Sequence, residues 1–405
     1  MCDKYLLIGF GLSNQSAAEI LSKHNLEFYV WDDDSERRQS AKIHYHYKIY
    51  DGQKINKIVL SPGVRNHRLL PLVNQKDILN EVELFLQFTT NKNIKIACTG
   101  SFGKSTTVSL IAYVINHSKK FTNLAKPVGN IGTKLSEVTD DIIPIIELSS
   151  FQLEKIYTKN INIGVILNIA KHHLEYYSTF QEYYDAKYKI IDLSTVSFIN
   201  RNLPTSDNSM RIIVDDRVLM IYREKLKHIS QTAFEACYVV CRYLGIEDEI
   251  IFDACKRFTN LPHRQEIISF NPLIINDSKS TNLECSAYAL QRHVNALWIA
   301  GGKTPQSLSN KTYNFTLQNK LLQLFQNNIQ HAFFFGSSKQ ELSQLLNSTP
   351  HSQYETLEDV VKAIAKNYHN ETIVFSPGFQ SFDQFSNFEE RGDIFKELIK
   401  KYLKI

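Results

Sequence analysis

Short apolar runs alternate with longer amphipathic stretches along most of the chain. The runs read KYLLIGF, EFYVWD, KIVLSPG, IKIACTG, IIPIIELSS and INIGVILNI, and a helical pattern over residues 16–24 separates the first two. Apolar runs of about four to eight residues between polar or glycine-containing sequence are typical of buried strands, so the alternation predicts parallel sheets with crossover helices. Because several runs end directly in such sequence, we expect ligand-binding loops at the carboxyl ends of the strands.

Two breaks in the pattern predict domain boundaries. The polar stretch TTNKN follows Phe88, and TNLPHR follows Phe258, where a proline interrupts a helical pattern. A chain of 405 residues is long enough for more than one core, since a domain usually takes about 150 residues. We therefore expect three α/β domains, over residues 1–90, 91–262 and 263–405.

The composition mainly excludes certain classes of function and location. The chain has 46 basic and 42 acidic residues with a net charge of +4, and it has no dense basic block that would indicate a nucleic-acid or membrane surface. Its six cysteines show no CxxC spacing for zinc or redox chemistry, which fits reduced thiols. The first apolar run is too short for a signal peptide, and no segment approaches the roughly 18 uncharged apolar residues of a membrane helix. We expect a cytoplasmic protein with small-molecule ligands.

The stretch CTGSFGKSTT, residues 98–107, has the composition of a phosphate-binding loop. Glycines at 100 and 103 let successive amide hydrogens point into one concavity, and the following helix N-terminus adds positive potential. Lys104 would then contact the terminal phosphates of a nucleotide, and the Ser105 hydroxyl would bind magnesium. The usual motif has four residues between its glycines, and Cys98 stands where its first glycine should be. A plain strand-to-helix turn is the alternative.

The first two strands end in weaker signals. The first ends in Gly9-Phe-Gly11, but Asn14 stands where a dinucleotide-binding fingerprint has its third glycine, which makes an NAD-linked oxidoreductase the least favoured reading. The second ends in three aspartates beginning at Asp32, where a ribose or base contact is possible. A solvated acidic turn is the alternative.

Three further candidates follow central strands. Glu147 ends the run IIPIIE and is a plausible magnesium ligand, or the cap of the next helix. His172 and His173 come after INIGVILNIA, where they face the same cleft or are only polar surface. Lys187 lies in the amphipathic stretch YYDAKYKII, and from the residues alone it is a solvated helix lysine.

The last third of the chain has two polar strand ends. Arg264 follows a proline and a histidine, and Asp277 and Lys279 alternate after the run LIIN, so acid and base together could bridge magnesium and phosphate there. The stretch FSPGFQSFDQFSNFEERGDIF joins a strand to a helix through small polar residues that could bind a carboxylate.

Together these stretches resemble the Mur ligases over essentially the whole chain. The segments TGSFGKSTT, VGNIG, ELSSFQLE, LPHR, NDSKSTN and SPGFQSFDQFSNFEERG occur in family order, and the last two are typical of the D-glutamate-adding members. The resemblance implies an ATP-dependent amide ligase that adds D-glutamate to UDP-N-acetylmuramoyl-L-alanine through an acyl phosphate, in cytoplasmic peptidoglycan precursor synthesis. It also implies a Rossmann-like UDP-binding domain, a central P-loop ATPase-like domain and a Rossmann-like amino-acid-binding domain, in a monomer.

The resemblance also implies roles for individual residues. The implied ATP contacts are Gly100, Ser101, Gly103, Lys104, Ser105, Thr106, Arg264, Asp277 and Lys279. The implied magnesium ligands are Ser105, Glu147, His173 and Lys187, the last as an N6-carboxylated lysine. The implied substrate contacts are Leu12, Ser13 and Asp32 for UDP, Asn130, and Thr281, Ser381 and Phe388 for D-glutamate. Lys104, Lys187 and His173 are the implied catalytic residues; carboxylation of a lysine requires a neutral amine and hence a lowered pKa.

Several positions depart from the family pattern. Phe102 stands where the family usually has asparagine and His172 where it usually has aspartate, while Ile229 and Thr232 replace asparagines near the nucleotide. Lys303 directly follows two glycines instead of lying further on. These departures keep two alternatives open: another Mur or folylpolyglutamate-type ligase, and a catalytically silent nucleotide-binding homologue. The retained Glu147, His173 and Lys187 favour an active, divergent enzyme.

Overall fold

The computed structural model describes residues 3–64, 67–170, 176–205, 209–226, 228–303 and 323–404. The chain divides into two compact units, Met1–Phe258 and Thr259–Ile405. Parallel strands with crossover helices form two sheets in the first unit and one in the second, which confirms the predicted α/β fold class. The finer division at residues 90 and 262 stays a prediction.

The first sheet is parallel and has the strand order β2-β1-β3-β4. Its strands are β1 (Tyr5–Ile8), β2 (Phe28–Trp31), β3 (Lys57–Leu60) and β4 (Ile78–Leu79), and its helices are α1 (Leu12–Lys23), α2 (Ser35–Ile43) and α3 (Glu81–Phe88). All four residues of β1 are buried, as expected of a central strand covered on both faces. Asp34 and Asn80 cap α2 and α3 by accepting hydrogen bonds from backbone amides of the first turn.

The second sheet is also parallel and has the order β10-β9-β8-β5-β7-β6. Its strands are β5 (Ile96–Thr99), β6 (Leu124–Gly129), β7 (Ile142–Glu147), β8 (Ile161–Ile166), β9 (Ser194–Asn200) and β10 (Ser209–Ile212). Its helices are α4 (Lys104–Ser118), α5 (Ser150–Leu153), α6 (Phe180–Leu193), α7 (Asp216–Lys225), α8 (Gln231–Tyr243) and α9 (Asp248–Arg257). The continuous apolar sequences of β5 and β7 follow from their complete burial.

Strand register brings the polar ends of the second sheet together. Cys98 of β5 pairs with Glu147 of β7, and Thr99 pairs with Ile166 of β8. Because neighbouring parallel strands end at the same edge, the loops after β5, β7 and β8 surround one position at the middle of the sheet. Helix α4 starts from this edge and packs against α8 and α9 in an apolar core that includes Val108, Ile111 and Ile251.

The second unit contains one mixed sheet of order β11-β12-β16-β13-β14-β15. Its strands are β11 (Glu266–Phe270), β12 (Leu273–Asn276), β13 (Ala296–Gly301), β14 (Ile329–Phe335), β15 (His351–Tyr354) and β16 (Ile373–Gly378). Its named helices are α10 (Leu283–Leu290), α11 (Lys339–Leu345), α12 (Leu357–Asn367) and α13 (Phe388–Leu403), and residues 323–328 are also helical. Only β11 is antiparallel to its neighbour among these strands. The carboxyl ends of β12, β16 and β13 therefore lie side by side.

Among the residues with described positions, no helix has the length and apolar character needed to cross a bilayer.

Candidate active site

The glycine loop joins β5 to α4 as the sequence predicts. Gly103 has a φ of +79°, in the left-handed region that glycine adopts without strain, and α4 begins at the next residue. As the N-cap, Gly103 offers no side-chain acceptor to the first backbone amides of α4. Helix N-termini of this kind provide N–H donors and positive potential to an anion.

Asn168 holds the loop in shape from the end of β8. Its side-chain Oδ1 accepts hydrogen bonds from the backbone amides of Ser101 (3.0 Å) and Phe102 (2.9 Å), and its Nδ2 donates to the Phe102 carbonyl (3.1 Å). The backbone at Phe102 is thus fixed although its side chain departs from the family pattern. Sequence reasoning missed Asn168, but its polar side chain at the end of the run INIGVILNIA was an available signal.

Lys104 bends back over the glycine loop. Its Nζ donates to the carbonyls of Gly100 (2.8 Å) and Ser101 (3.3 Å), and no carboxylate in the described portion of the chain lies within ion-pair distance of it. The ammonium group is therefore held by neutral acceptors at the mouth of the loop. A cation in this position suits a terminal phosphate group. Thr106 follows in the first turn of α4 and is partly exposed.

Glu147 contacts two other predicted residues, Ser105 and Asn130. Its Oε2 accepts a hydrogen bond from Ser105 Oγ (2.6 Å) and its Oε1 accepts one from Asn130 Nδ2 (3.1 Å). Both Ser105 and Glu147 are 3% exposed. A hydroxyl, a carboxylate and an amide that lie this close form an oxygen-rich set, which is the chemistry that Mg²⁺ prefers. The alternative that Glu147 caps a helix is not what the structure shows, because Ser149 caps α5.

Lys187 is a buried lysine and not the solvated one that its sequence context alone suggests. It is 2% exposed, and its Nζ donates to the Gly100 carbonyl (3.0 Å) beneath the glycine loop. Burial, and then the charge of Lys104, hold the pKa of Lys187 well below its usual range. A neutral amine is the form that reacts with carbon dioxide, so the side chain fits the predicted carboxylation.

Tyr183, one turn before Lys187 on α6, connects the lysine to the loop. The Lys187 Nζ lies 4.8 Å from the centre of the Tyr183 ring, and the Tyr183 hydroxyl lies 2.9 Å from Ser101 Oγ. Sequence reasoning missed this tyrosine, since the only signal is its spacing of four residues from Lys187 on one helix face.

Only some of the predicted magnesium ligands lie among the described residues. His172 and His173 lie outside the described residues, and within the described ranges no group of three or more histidine, cysteine, aspartate or glutamate side chains could hold a metal ion. The described members of the predicted set, Ser105, Glu147 and Lys187, do surround the loop. They fit one magnesium ion provided that Lys187 becomes an oxygen ligand.

The predicted UDP contacts lie at the end of the first sheet. Asp32 is 8% exposed, and its carboxylate accepts hydrogen bonds from the backbone amides of Phe10 (2.6 Å) and Asp34 (2.9 Å), so it fixes two strand-end loops instead of forming a solvated turn. Leu12 is 73% exposed and Ser13 is partly buried at the start of α1. These positions stay predictions as substrate contacts.

Two buried residues under this edge were not predicted as functional. Asn14 donates from Nδ2 to the carbonyls of Ile8, Gly9 and Val59, so its side chain occupies the place where a fingerprint glycine would lie. Burial raises the pKa of Glu81 to about 7, against hydrogen bonds from Ser16, the Leu135 amide and Ser13. The carboxyl of Glu81 thus reaches one of the predicted UDP contacts.

The second unit gathers its predicted residues at the ends of β12 and β16. Asp277 accepts hydrogen bonds from Ser280 Oγ (2.5 Å), Ser376 Oγ (2.9 Å) and the Gln265 amide (3.1 Å). Burial raises its pKa to about 6, although these hydrogen bonds and the charge of Arg264 act in the opposite direction.

Amino-acid and nucleotide contacts predicted for this unit lie on adjoining segments. Lys279 Nζ lies 3.8 Å from the centre of the Phe388 ring, and Ser381 is 2% exposed. Thr281 and Arg264 are partly buried. Their roles stay predictions.

Three further departures lie within the described residues. Ile229 is fully buried, and its carbonyl accepts a hydrogen bond from the Tyr222 hydroxyl (2.9 Å). Thr232 lies in the first turn of α8 and is partly buried. Lys303 is exposed, and its backbone amide donates to the Gln380 carbonyl (2.7 Å).

The glycine loop before α4, the acidic residue at the end of β7 and the buried lysine beneath them are of the kinds found in nucleotide-dependent ligases, and the comparisons with known proteins identify the class as the Mur ligases. The family model of the Mur ligase middle domain matches residues 98–232. Solved structures agree in fold: the UDP-N-acetylmuramate–alanine ligase of Thermotoga maritima covers 98% of this chain and 99% of its own at a TM-score of 0.55 and 15% identity. The MurF ligase of the same organism, solved in complex with ADP, covers 91% and 92% at a TM-score of 0.55 and 14% identity.

Sequence relatives narrow the assignment. The UDP-N-acetylmuramoylalanine–D-glutamate ligase of Buchnera aphidicola is 30% identical over 98% of this chain and 98% of its own. The protein of the same name from Wolbachia pipientis is 28% identical over 96% of this chain and 94% of its own. The chain therefore belongs to the Mur ligase family, in the branch of the UDP-N-acetylmuramoylalanine–D-glutamate ligases.

Proposed function

We propose that the protein is an ATP-dependent amide ligase that joins D-glutamate to UDP-N-acetylmuramoyl-L-alanine in peptidoglycan precursor synthesis. The names and the nearly complete coverage of its relatives support the substrates. The observation that carries the chemistry is the cluster beneath the glycine loop, where Ser105, Glu147 and the buried Lys187 converge. Activating a carboxylate with a nucleotide calls for oxygen ligands to a metal ion and for positive charge near the phosphates, and this cluster together with Lys104 offers both.

The reaction must overcome the poor electrophilicity of a carboxylate. We infer that the alanyl carboxylate is phosphorylated by ATP, that the amine of D-glutamate attacks the acyl phosphate, and that phosphate leaves as the amide forms. Negative charge accumulates on phosphate oxygens throughout, so electrostatic stabilisation is expected to be the largest catalytic contribution. Lys104 and the first backbone amides of α4 supply positive charge and donors where that negative charge develops.

Magnesium is the cofactor that the buried oxygen set suits. Ser105 and Glu147 would hold one ion with carboxylated Lys187, and His173 is proposed as a further ligand. A bound ion would screen the charge of the phosphates and polarise the phosphoryl group. Asn130 keeps the Glu147 carboxylate in place from the opposite side through its 3.1 Å hydrogen bond.

Carboxylation of Lys187 is the step that makes this set complete. The neutral Nζ adds to carbon dioxide: an N–C bond forms, one C–O π bond of carbon dioxide opens with its electron pair kept on oxygen, and one proton passes from the nitrogen to water, so a buried amine becomes a carbamate anion. Lys104 lies close enough for its positive charge to lower the pKa of Lys187, and the same charge would stabilise the carbamate anion. The same burial that disfavours the ammonium form therefore favours the reactive amine.

Substrate contacts complete the proposal. Leu12, Ser13 and Asp32 are proposed to hold the UDP part, and Thr281, Ser381 and Phe388 to hold D-glutamate. Arg264, Asp277 and Lys279 are proposed as further nucleotide contacts. We also propose that the enzyme acts in the cytoplasm as a monomer.

The test is phosphate release by the purified protein with ATP, magnesium, UDP-N-acetylmuramoyl-L-alanine and D-glutamate, with each component omitted in turn. We expect release only when all four are present, and no replacement of D-glutamate by L-glutamate or meso-diaminopimelate. Release with a different amino acid would assign another ligase of the family. ATP binding without any release would contradict the proposal and favour a silent homologue.

A further inference from the structure

Arg391 is unusual in the second unit, because it is a completely buried arginine that has no acidic partner in the part of the chain the structure describes. It lies on α13 and is 0% exposed. Among the described residues, no carboxylate lies within ion-pair distance of its guanidinium group, and Asp383 influences it only through space. Arginine is almost never fully buried unless it is paired, since removing its charge from water is unfavourable. Such a group needs a specific reason to be retained.

The hydrogen bonds of Arg391 reach the loops after β12 and β16. Its Nε donates to Ser278 Oγ (3.0 Å), and one terminal nitrogen donates to the Ser278 carbonyl (2.7 Å). The other terminal nitrogen donates to the Phe379 carbonyl (2.9 Å). A rigid planar fork is the feature that distinguishes arginine from lysine, and here it fixes the relative position of two strand-end loops.

A third segment is attached through Ser278. The Ser278 hydroxyl accepts from Arg391 and donates to the Phe388 carbonyl at 2.8 Å, which is at the first residue of α13. The loop after β13 also passes close to the guanidinium group, because a Cβ placed on Gly302 would lie 3.1 Å from Arg391. Arg391 therefore lies beneath the ends of β12, β13 and β16 at once.

These segments carry the residues proposed to hold the amino acid. Thr281 lies three positions after Ser278, Ser381 lies two positions after Phe379, and Phe388 receives the Ser278 hydrogen bond. We propose that Arg391 is a positioning residue of the amino-acid site, which holds these three segments in the arrangement that binds D-glutamate. The inference rests on the proposed function for the identity of the ligand, but not for the hydrogen-bonded network itself.

Two substitutions of Arg391 separate its fork from its charge. Arg391→Lys keeps the charge and loses the planar fork, whereas Arg391→Met keeps much of the bulk and loses both. Lys401→Met is the matched control, because Lys401 lies on the same helix, is exposed and pairs with Glu358 at the surface. Ser278→Ala is a milder variant that removes one acceptor and the hydrogen bond to Phe388, and it serves if the Arg391 variants do not fold.

The measurement is KM for each of the three substrates together with kcat. A small displacement of groups that orient a substrate reduces catalysis by about tenfold to a hundredfold. We expect both Arg391 variants to raise the KM for D-glutamate by about tenfold or more, with the KM for ATP and for the UDP substrate within about twofold of the wild type. Ser278→Ala should show a smaller rise of the same kind, and Lys401→Met should show none.

Three results would overturn the proposal. The first is a folded Arg391 variant whose KM for D-glutamate is unchanged, and the second is a loss of kcat alone. The third is an equal rise in all three KM values, which indicates general destabilisation.

Hydrogen exchange distinguishes a failure of the positioning role of Arg391 from a failure of the proposed function. If the wild type shows no reaction with D-glutamate, the proposed function fails. Faster amide exchange at residues 278–281 and 379–381 in Arg391→Met, relative to Lys401→Met, would still support the positioning role. Unchanged exchange in those segments would contradict it.

Discussion

The glycine-loop site of the first unit and the strand-end site of the second unit are organised in different ways. In the glycine-loop site, Lys104 and Lys187 lie close together and both donate to the Gly100 carbonyl. In the strand-end site, Arg391 lies beneath the loops, and its hydrogen bonds reach Ser278 and Phe379. In the first site, the partly exposed Lys104 can present its charge directly to the proposed ligand, whereas the second site uses the buried charge of Arg391 as a support. Substitutions should consequently abolish chemistry in the first site and weaken binding in the second.

The largest effect is expected at Lys187. Lys187→Ala should be nearly inactive, because the proposed carbamate ligand is lost, and short-chain carboxylates should restore part of the activity. Lys189→Ala is the matched control on the same helix, since its Nζ donates only to the Glu154 carbonyl among described acceptors. The measurement is phosphate release with and without added carboxylate, together with a ¹³C NMR signal after labelling with bicarbonate. Loss without rescue and without a carbamate signal would remove the metal role of Lys187.

Lys104 should come next. Lys104→Ala is expected to lose about 3 kcal/mol or more of transition-state stabilisation, because the substitution removes the cation that stabilises the charge developing on the phosphate oxygens. Steady-state kcat/KM for ATP measures the effect, and thermal unfolding is expected to change little since Lys104 bonds only to loop carbonyls among the described residues. Near-normal turnover would refute the phosphate role of the loop and with it the contrast between the two sites.

Asn168 tests whether the first site also depends on support. Asn168→Ala removes three hydrogen bonds from residues 101 and 102, and we expect a loss of about 1 to 2 kcal/mol in kcat/KM for ATP. Asn168→Asp keeps the acceptor for both amides and should lose less. Equal activity of Asn168→Ala and wild type would show that the glycine loop keeps its shape without this contact.

The last effect falls on stability and not on catalysis, and it concerns Asp277. Its pKa is raised to about 6 in the folded protein from a usual value of 3.8, so the folded state binds more protons than the unfolded state between these values. Stability contributed by this group is therefore present at low pH and decreases as pH rises from about 4 to 6, by up to about 3 kcal/mol. Asp277→Asn should remove that pH dependence. Urea unfolding of both proteins from pH 4 to 8 measures the difference, and parallel curves would contradict the assignment.

The sequence indicates the glycine-loop site well because its information is local. Residues 98–107 encode a strand end, a left-handed glycine and a helix start in ten consecutive positions, and Glu147 follows the neighbouring strand of the same sheet. Alternating apolar runs likewise predicted the parallel sheets. The antiparallel strand β11 was not predicted. Its sequence EIISF contains polar residues and no long apolar run, so it lacks the pattern that indicates the other strands.

The supporting residues could not be predicted because their partners are distant in sequence. Asn168 acts on a loop 66 positions earlier, and Arg391 bonds to Ser278 across 113 positions. Lys187 was assigned a role only by family resemblance, because its burial depends on how α6 packs under the glycine loop. A polar residue that supports a distant loop has the same local pattern as one at the surface.

In the proposed reaction, the nucleotide bound at the glycine loop activates a carboxylate by phosphorylation. UDP-N-acetylmuramoyl-L-alanine labelled with ¹⁸O in its carboxylate, incubated with ATP, magnesium and D-glutamate, tests it directly through the mass of the released phosphate. We expect one ¹⁸O atom in each phosphate, because the carboxylate oxygen remains on phosphorus when the amide forms. Phosphate without the label, released at the rate of product formation, would contradict it.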